Sequence, residues 1–178
     1  MILFTSGFPY AGKTELVSRL CEQLDHKNLI HINPRDLYPE DFADLPNSEQ
    51  QANGIVAWEM SYEKARECIT KLPNKVLIVF DTCCRDALQV NQLFGDAKTR
   101  GHKILFAYVN ASTDRRQEYA EDKDISKFEE RYSSSFQQNL PKFKSMSDQF
   151  LVINNNKSLL ELDERAVELA EKVIELRS

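Results

Sequence analysis

Gly7-Phe8-Pro9-Tyr10-Ala11-Gly12-Lys13-Thr14 is the stretch on which the fold turns. It satisfies G-x-x-x-x-G-K-[ST] at every fixed position. The apolar run Ile2-Leu3-Phe4 precedes it, and Val17, Leu20, Cys21 and Leu24 follow at helical spacing. In that strand–loop–helix setting the glycines let the backbone wrap tightly and turn N–H groups inward toward phosphate oxygens. The helix N-terminus adds partial positive charge. Gly7, Tyr10, Ala11, Gly12, Lys13 and Thr14 are therefore expected to hold a nucleoside triphosphate. Lys13 would reach the β- and γ-phosphates, and the Thr14 hydroxyl would bind Mg²⁺. ATP and Mg²⁺ are the expected cofactors.

Outward from the loop, short apolar runs alternate with helical patterns. Leu29–Ile32 is a second strand, stopped by Asn33-Pro34, and residues 39–48 read as a loop. Trp58, Tyr62, Ala65, Ile69 and Leu72 mark a long helix closed by Pro73-Asn74. That period places Trp58 in the core rather than on a base-stacking platform. Val76–Phe80 is apolar on both faces, as buried parallel strands are. A helix carrying Val90, Phe94 and Ala97 follows, then strands at Ile104–Val109 and Phe150–Ile153, then a helix striped from Leu159 to Leu176. This rhythm predicts an α/β P-loop three-layer sandwich: a five-stranded parallel sheet, order 2-3-1-4-5, with helices on both faces. Residues 113–147 interrupt it with seven basic and seven acidic residues in a polar, helical pattern. They are expected to form a helical lid over the strand ends, within one domain spanning 1–178.

The chain has 178 residues, enough for one domain with a real core. No apolar run approaches the ~18 residues of a membrane span, and no leader peptide is evident. Cys83-Cys84 is a poor disulfide framework and the histidines are scattered. Reduced thiols and a cytoplasmic location are the expectation, with no membrane partner. Net charge is −5, which argues against a chain living on nucleic acid. Asp36 to Glu67 holds eight acids against Lys64 and Arg66, a balance that suits a small or cationic acceptor.

The class of P-loop protein follows from what surrounds the loop. Guanine switches read the base with N-K-x-D, but Asn156-Lys157 is followed by Ser158-Leu159. Asp81 stands as a single acid at a strand end, where it would hold Mg²⁺ through water, pin Thr14 or cap the next helix. With the lid, these features favour a kinase. Ser6–Thr14, Ile32-Asn33-Pro34-Arg35-Asp36 and Asp81-Thr82 together resemble the kinase domain of polynucleotide kinase and its relatives. Those relatives include phage kinases that phosphorylate hydroxymethyluracil in DNA. The resemblance implies transfer of the γ-phosphate to a nucleic-acid or nucleoside hydroxyl, modified DNA being one such acceptor, in the host cytoplasm if phage-encoded. It implies Asp36 as general base, lid arginines Arg115 or Arg116 (with Arg131) around the transferring phosphate, and Asn154–Asn156 near adenine. Arg35 and Arg85 would lie close to substrate. A small-metabolite kinase of the shikimate or gluconate type is the alternative enzyme. A tRNA-binding P-loop ATPase without phosphotransfer is the alternative outside the kinases.

Overall fold

The computed structural model describes residues 1–24, 28–81, 86–120, 125–126, 138–156 and 159–177. Strand β1 (Ile2–Ser6) leads through the phosphate loop into helix α1 (Lys13–Gln23). Strand β2 (Leu29–Ile32) is followed by two 3₁₀ turns, Pro34–Leu37 and Phe42–Asp44, and helix α2 (Asn47–Lys71). Strand β3 (Leu77–Asp81), helix α3 (Ala87–Thr99) and strand β4 (Ile104–Asn110) come next. Helix α4 (Thr113–Ala120), a helix α5 described over 138–146, strand β5 (Gln149–Asn154) and helix α6 (Leu159–Arg177) complete the order. The five strands pair in parallel in the order β2-β3-β1-β4-β5, as expected.

Alternation along the strands builds the two cores. Leu3, Val79, Leu105 and Ala107 meet Leu16, Val17, Leu20, Leu169 and Val173 of α1 and α6. The intervening residues Phe4, Phe80 and Phe106 meet Tyr62, Ile69 and Phe94 of α2 and α3 on the opposite face. Side chains of successive strand residues point to opposite faces, so strands that are apolar at every position demand helices on both sides.

Two expectations need correction. Of the lid expected over 113–147, residues 121–124 and 127–137 lie outside the described residues, and the part described as α5 belongs to the core: Phe143 is fully buried between Phe94 and Phe106. Flanking lysines concealed that phenylalanine in the polar pattern. Trp58 is the second: Tyr62, Ala65 and Ile69 are buried, but Trp58 is only half-buried. The reason is where α2 begins. The Tyr62 ring packs edge-on against Phe80, one residue before the end of β3, with centroids 5.3 Å apart. The helix starts fifteen residues earlier at Asn47, so at ~1.5 Å per residue about 22 Å of its length precedes Tyr62.

All parallel strands end at the same edge. The phosphate loop, the turn at Pro34–Leu37, the start of α3 and the first half of α2 therefore gather there. Open α/β sheets bind ligands along that edge.

Candidate active site

The phosphate loop is held in a conformation only its own residues tolerate. Gly7 has φ 147°, and a Cβ there would lie 2.2 Å from the Val109 carbonyl oxygen of β4. Gly12 has φ 84° and would push a Cβ to 2.3 Å from Asn155 Nδ2. Tyr10 adopts φ 63°, a left-handed conformation that costs a non-glycine residue ~1–2 kcal/mol. Helix α1 begins after Gly12 with no side-chain cap, which leaves its first-turn N–H groups to a ligand.

The residues around the loop form a hydroxyl–carboxylate pair. Thr5 and Asp81 sit side by side in the β1–β3 register on the α1 face. Asp81, 4% exposed, accepts hydrogen bonds from Thr14 Oγ1 at 2.8 Å and Thr5 Oγ1 at 3.1 Å. Of the roles open to Asp81, the geometry brings it to Thr14. Lys13 Nζ donates to the Phe8 carbonyl at 2.8 Å. A glycine-bearing loop with uncapped N–H groups, a lysine at its mouth and a hydroxyl oriented by a buried carboxylate has the donor set for a nucleotide phosphate chain with Mg²⁺.

The structure separates the two arginines. Arg116 is 5% exposed; its guanidinium lies over the Phe8 ring, 4.8 Å from the centroid, and donates to Thr113 Oγ1. It therefore stands at the phosphate loop. Its charge also opposes the upward push that burial gives the Tyr108 phenol. Arg115 turns away, pairing with Glu118 at 2.5 Å and stacking on Tyr119.

Asp36 and Arg35 lie exposed in the 3₁₀ turn, whose cap is Asn33: its side chain accepts from the Arg35 N–H. Asn155, expected near adenine, has another partner. It is 1% exposed, donates from Nδ2 to the Ala11 carbonyl at 3.0 Å, and anchors its own N–H on Asn110 O. The side chain braces the loop from beneath. Asn154 accepts from Asn110 Nδ2 at 3.1 Å. Arg85 and Arg131, with Thr82 and Cys83-Cys84, fall outside the described residues. The basic group Lys98, Arg100, His102 and Lys103 lies at the opposite edge, where His102 is buried against the Ile69 carbonyl.

Sequence reasoning missed a cleft of about 420 Å³ at the strand-end edge. Its walls are the first half of α2 (Gln50, Gln51, Gly54, Ile55, Trp58, Glu59, Tyr62), the turn residues Tyr38 and Phe42, and Asp86 and Gln89 at the start of α3. That size falls within the ~300–1,000 Å³ typical of small-molecule clefts. The four-residue spacing of 50, 54, 58 and 62 was the available signal, but only Trp58 and Tyr62 were read, as the start of a core stripe. Among the described residues no cluster of His, Cys, Asp and Glu could hold a metal by itself, and no helix is long and apolar enough to cross a membrane.

Residues 1–158 match the family model described as Zeta toxin. No curated protein sequence matches the chain. Among solved structures, Kti12 of Chaetomium thermophilum in complex with ADP-AlF3 superposes with a TM-score of 0.63 at 14% identity, covering 100% of both chains. Shikimate kinase of Acinetobacter baumannii in complex with shikimate gives 0.61 at 11% identity, covering 98% of this chain and 93% of that one. A candidate kinase of Chloroflexus aurantiacus gives 0.60 at 14% identity, covering 98% and 96%. At these identities the likeness is one of fold: that of the P-loop kinases. None of these three is a polynucleotide kinase.

Proposed function

This chain belongs to the Zeta toxin family, and from that membership and the site geometry we propose that it is an ATP-dependent kinase acting on a hydroxyl of a nucleoside-sized acceptor. The observation that carries this reading is the placement of two sites on one sheet edge. A phosphate loop with its Thr14–Asp81 pair follows β1, and a separate cleft large enough for a second small substrate is walled in part by Asp86 and Gln89, where the chain leaves the same edge beyond β3. A nucleotide hydrolase needs only the first of these.

The loop N–H groups and Lys13 bind the triphosphate, and Thr14 with Asp81 would hold Mg²⁺. When bound, that ion neutralises charge on the phosphate oxygens. Arg116 stabilises the charge that spreads over the transferring group. An alcohol is a weak nucleophile at neutral pH, so Asp36 accepts the acceptor proton as the new O–P bond forms and the bond from the γ-phosphorus to the bridging oxygen breaks, releasing ADP. A nucleic-acid acceptor such as hydroxymethyluracil in DNA fits this chemistry at the reacting atom. Its flanking phosphates, however, would have to pass a segment with eight acids and two bases, which favours a free small acceptor.

The test is transfer of labelled γ-phosphate to a panel of nucleosides, modified DNA, tRNA, shikimate and gluconate. Lys13→Ala should abolish transfer with the fold retained. Asp36→Asn should cut it by ~10²–10⁴-fold while nucleotide affinity barely changes. Hydrolysis stimulated by tRNA with no labelled product would replace the kinase reading with a P-loop ATPase.

A further inference from the structure

The cleft at the strand-end edge has a chemistry of its own. Its lining carries two carboxylates, Glu59 and Asp86, and among the described residues no lysine, arginine or histidine. Its amides add an acceptor at Gln50 and a donor at Gln89. Gln50 spends its NH₂ group on the carbonyls of Ala43 and Leu45, which leaves its oxygen as an acceptor. Asp86 Oδ1 caps α3 by accepting from Leu88 and Gln89 N–H. Gln89 accepts from Arg66, whose charge is directed to Gln89, Gln92 and Asp96 rather than into the cleft. The remaining surface is Gln51, Ile55 and a set of aromatic rings: Tyr38 is stacked on Phe42 with centroids 4.0 Å apart, and Trp58 lies tilted beside Tyr62.

One position sets the room available. Gly54 lies within α2, where glycine is unfavourable relative to alanine. A Cβ there would find only the Tyr38 hydroxyl, at 4.0 Å. The helix is thus thinned where it faces the turn, and any longer side chain would project into the cleft.

We propose that this cleft selects a ring-bearing alcohol without phosphate or carboxylate groups, and that Gly54 sets the width of the slot that admits the ring. The proposal rests on the kinase reading and names its substrate class. Aromatic walls stack on a flat ring, carboxylates and the Gln50 oxygen accept from its hydroxyl and N–H groups, and an anionic substituent meets two carboxylates with no cation among the described lining residues to offset them.

Trp58 is the only tryptophan in the chain, so its fluorescence reports directly on the cleft. Uridine and uridine 3′-monophosphate both present a 5′-hydroxyl and differ only in the anionic group. With the protein loaded with ADP and Mg²⁺, uridine should perturb Trp58 saturably. The 3′-monophosphate should need at least ~10-fold higher concentration, the order expected for one charge placed near two carboxylates. Glu59→Lys should bring the two within about threefold. Gly54→Leu should abolish the uridine response, while Ala52→Leu, the same bulk outside the lining, should keep it.

Equal or tighter binding of the monophosphate overturns the proposal. So does a Trp58 signal that ignores uridine, or a uridine response that survives Gly54→Leu. Labelled γ-phosphate transfer separates this failure from failure of the kinase reading. Transfer to anionic acceptors instead would overturn the substrate class and leave the kinase standing. Uridine bound in the slot without transfer to any acceptor would support the slot chemistry and remove the kinase.

Discussion

Replacing Asn155 tests the bracing of the phosphate loop, because this side chain touches the loop from 144 residues away. Asn155→Ala removes the amide that donates to the Ala11 carbonyl at 3.0 Å, and both residues are fully buried. An orphaned buried carbonyl costs ~1–3 kcal/mol. Taking about 2 kcal/mol, and ~2–4 °C per kcal/mol for a chain of this size, the melting temperature should fall by ~4–8 °C. Affinity for an ATP analogue, measured by calorimetry, should fall as the loop loosens. The Gly12 contact supplies a second measurement. Gly12→Ala alone suffers both a left-handed φ, worth ~1–2 kcal/mol, and a Cβ placed 2.3 Å from Asn155 Nδ2. In the Asn155→Ala background the overlap disappears and only the backbone cost remains. The two substitutions should therefore destabilise by at least ~1 kcal/mol less than their sum in urea denaturation. Additivity within ~0.5 kcal/mol, or an unchanged melting temperature for Asn155→Ala, would refute the bracing.

Arg116→Ala should lower kcat more than it raises KM, by up to ~10³-fold, because its guanidinium stands over Phe8 of the loop. Arg115→Ala should stay within about twofold, since that side chain is engaged with Glu118 and Tyr119; steady-state kinetics giving the reverse order would reject the assignment. Burial, and then the Met1 amine 3.2 Å away, hold the His102 imidazole below its ordinary value of 6.5. The unfolded chain then binds the proton more readily, so the stability this neutral imidazole contributes is full above pH ~6.5 and is lost as pH falls through the lowered value. Thermal melts from pH 7.5 to 5 should decline less steeply for His102→Gln than for the wild-type chain, and parallel curves would rule this out.

Much of the fold was legible because its signals are local. The phosphate loop is eight contiguous residues, and β1, β3 and β4 carry apolar runs that only a sheet covered on both sides can bury. The site divides along the same line. Lys13, Thr14 and Asp81 were readable from motif and strand end. The Asn155 brace was not, because it is a pairing between residues distant in sequence and carries no periodic trace. Phe143 was concealed among charged neighbours, and its burial depends on Phe94 and Phe106 arriving from other elements. Arg115 and Arg116 are adjacent, and only the direction in which α4 presents them separates one from the other. The cleft was missed for a related reason. Trp58 and Tyr62 share one stripe, and nothing in its spacing tells where along the helix the sheet stops.

Helix α2 is mechanically a beam clamped at one end. Tyr62, Ala65 and Ile69 fasten its lower half to the sheet, while nothing from Asn47 to Val56 is buried. The upper half is steadied by its own hydrogen bonds and by the turns beside it, with a glycine at position 54 where bending stiffness is lowest. The width of the gap between this arm and the Tyr38 turn is therefore a matter of leverage, set by the clamp below and by the Gln50 amide that ties the arm to the carbonyls of Ala43 and Leu45.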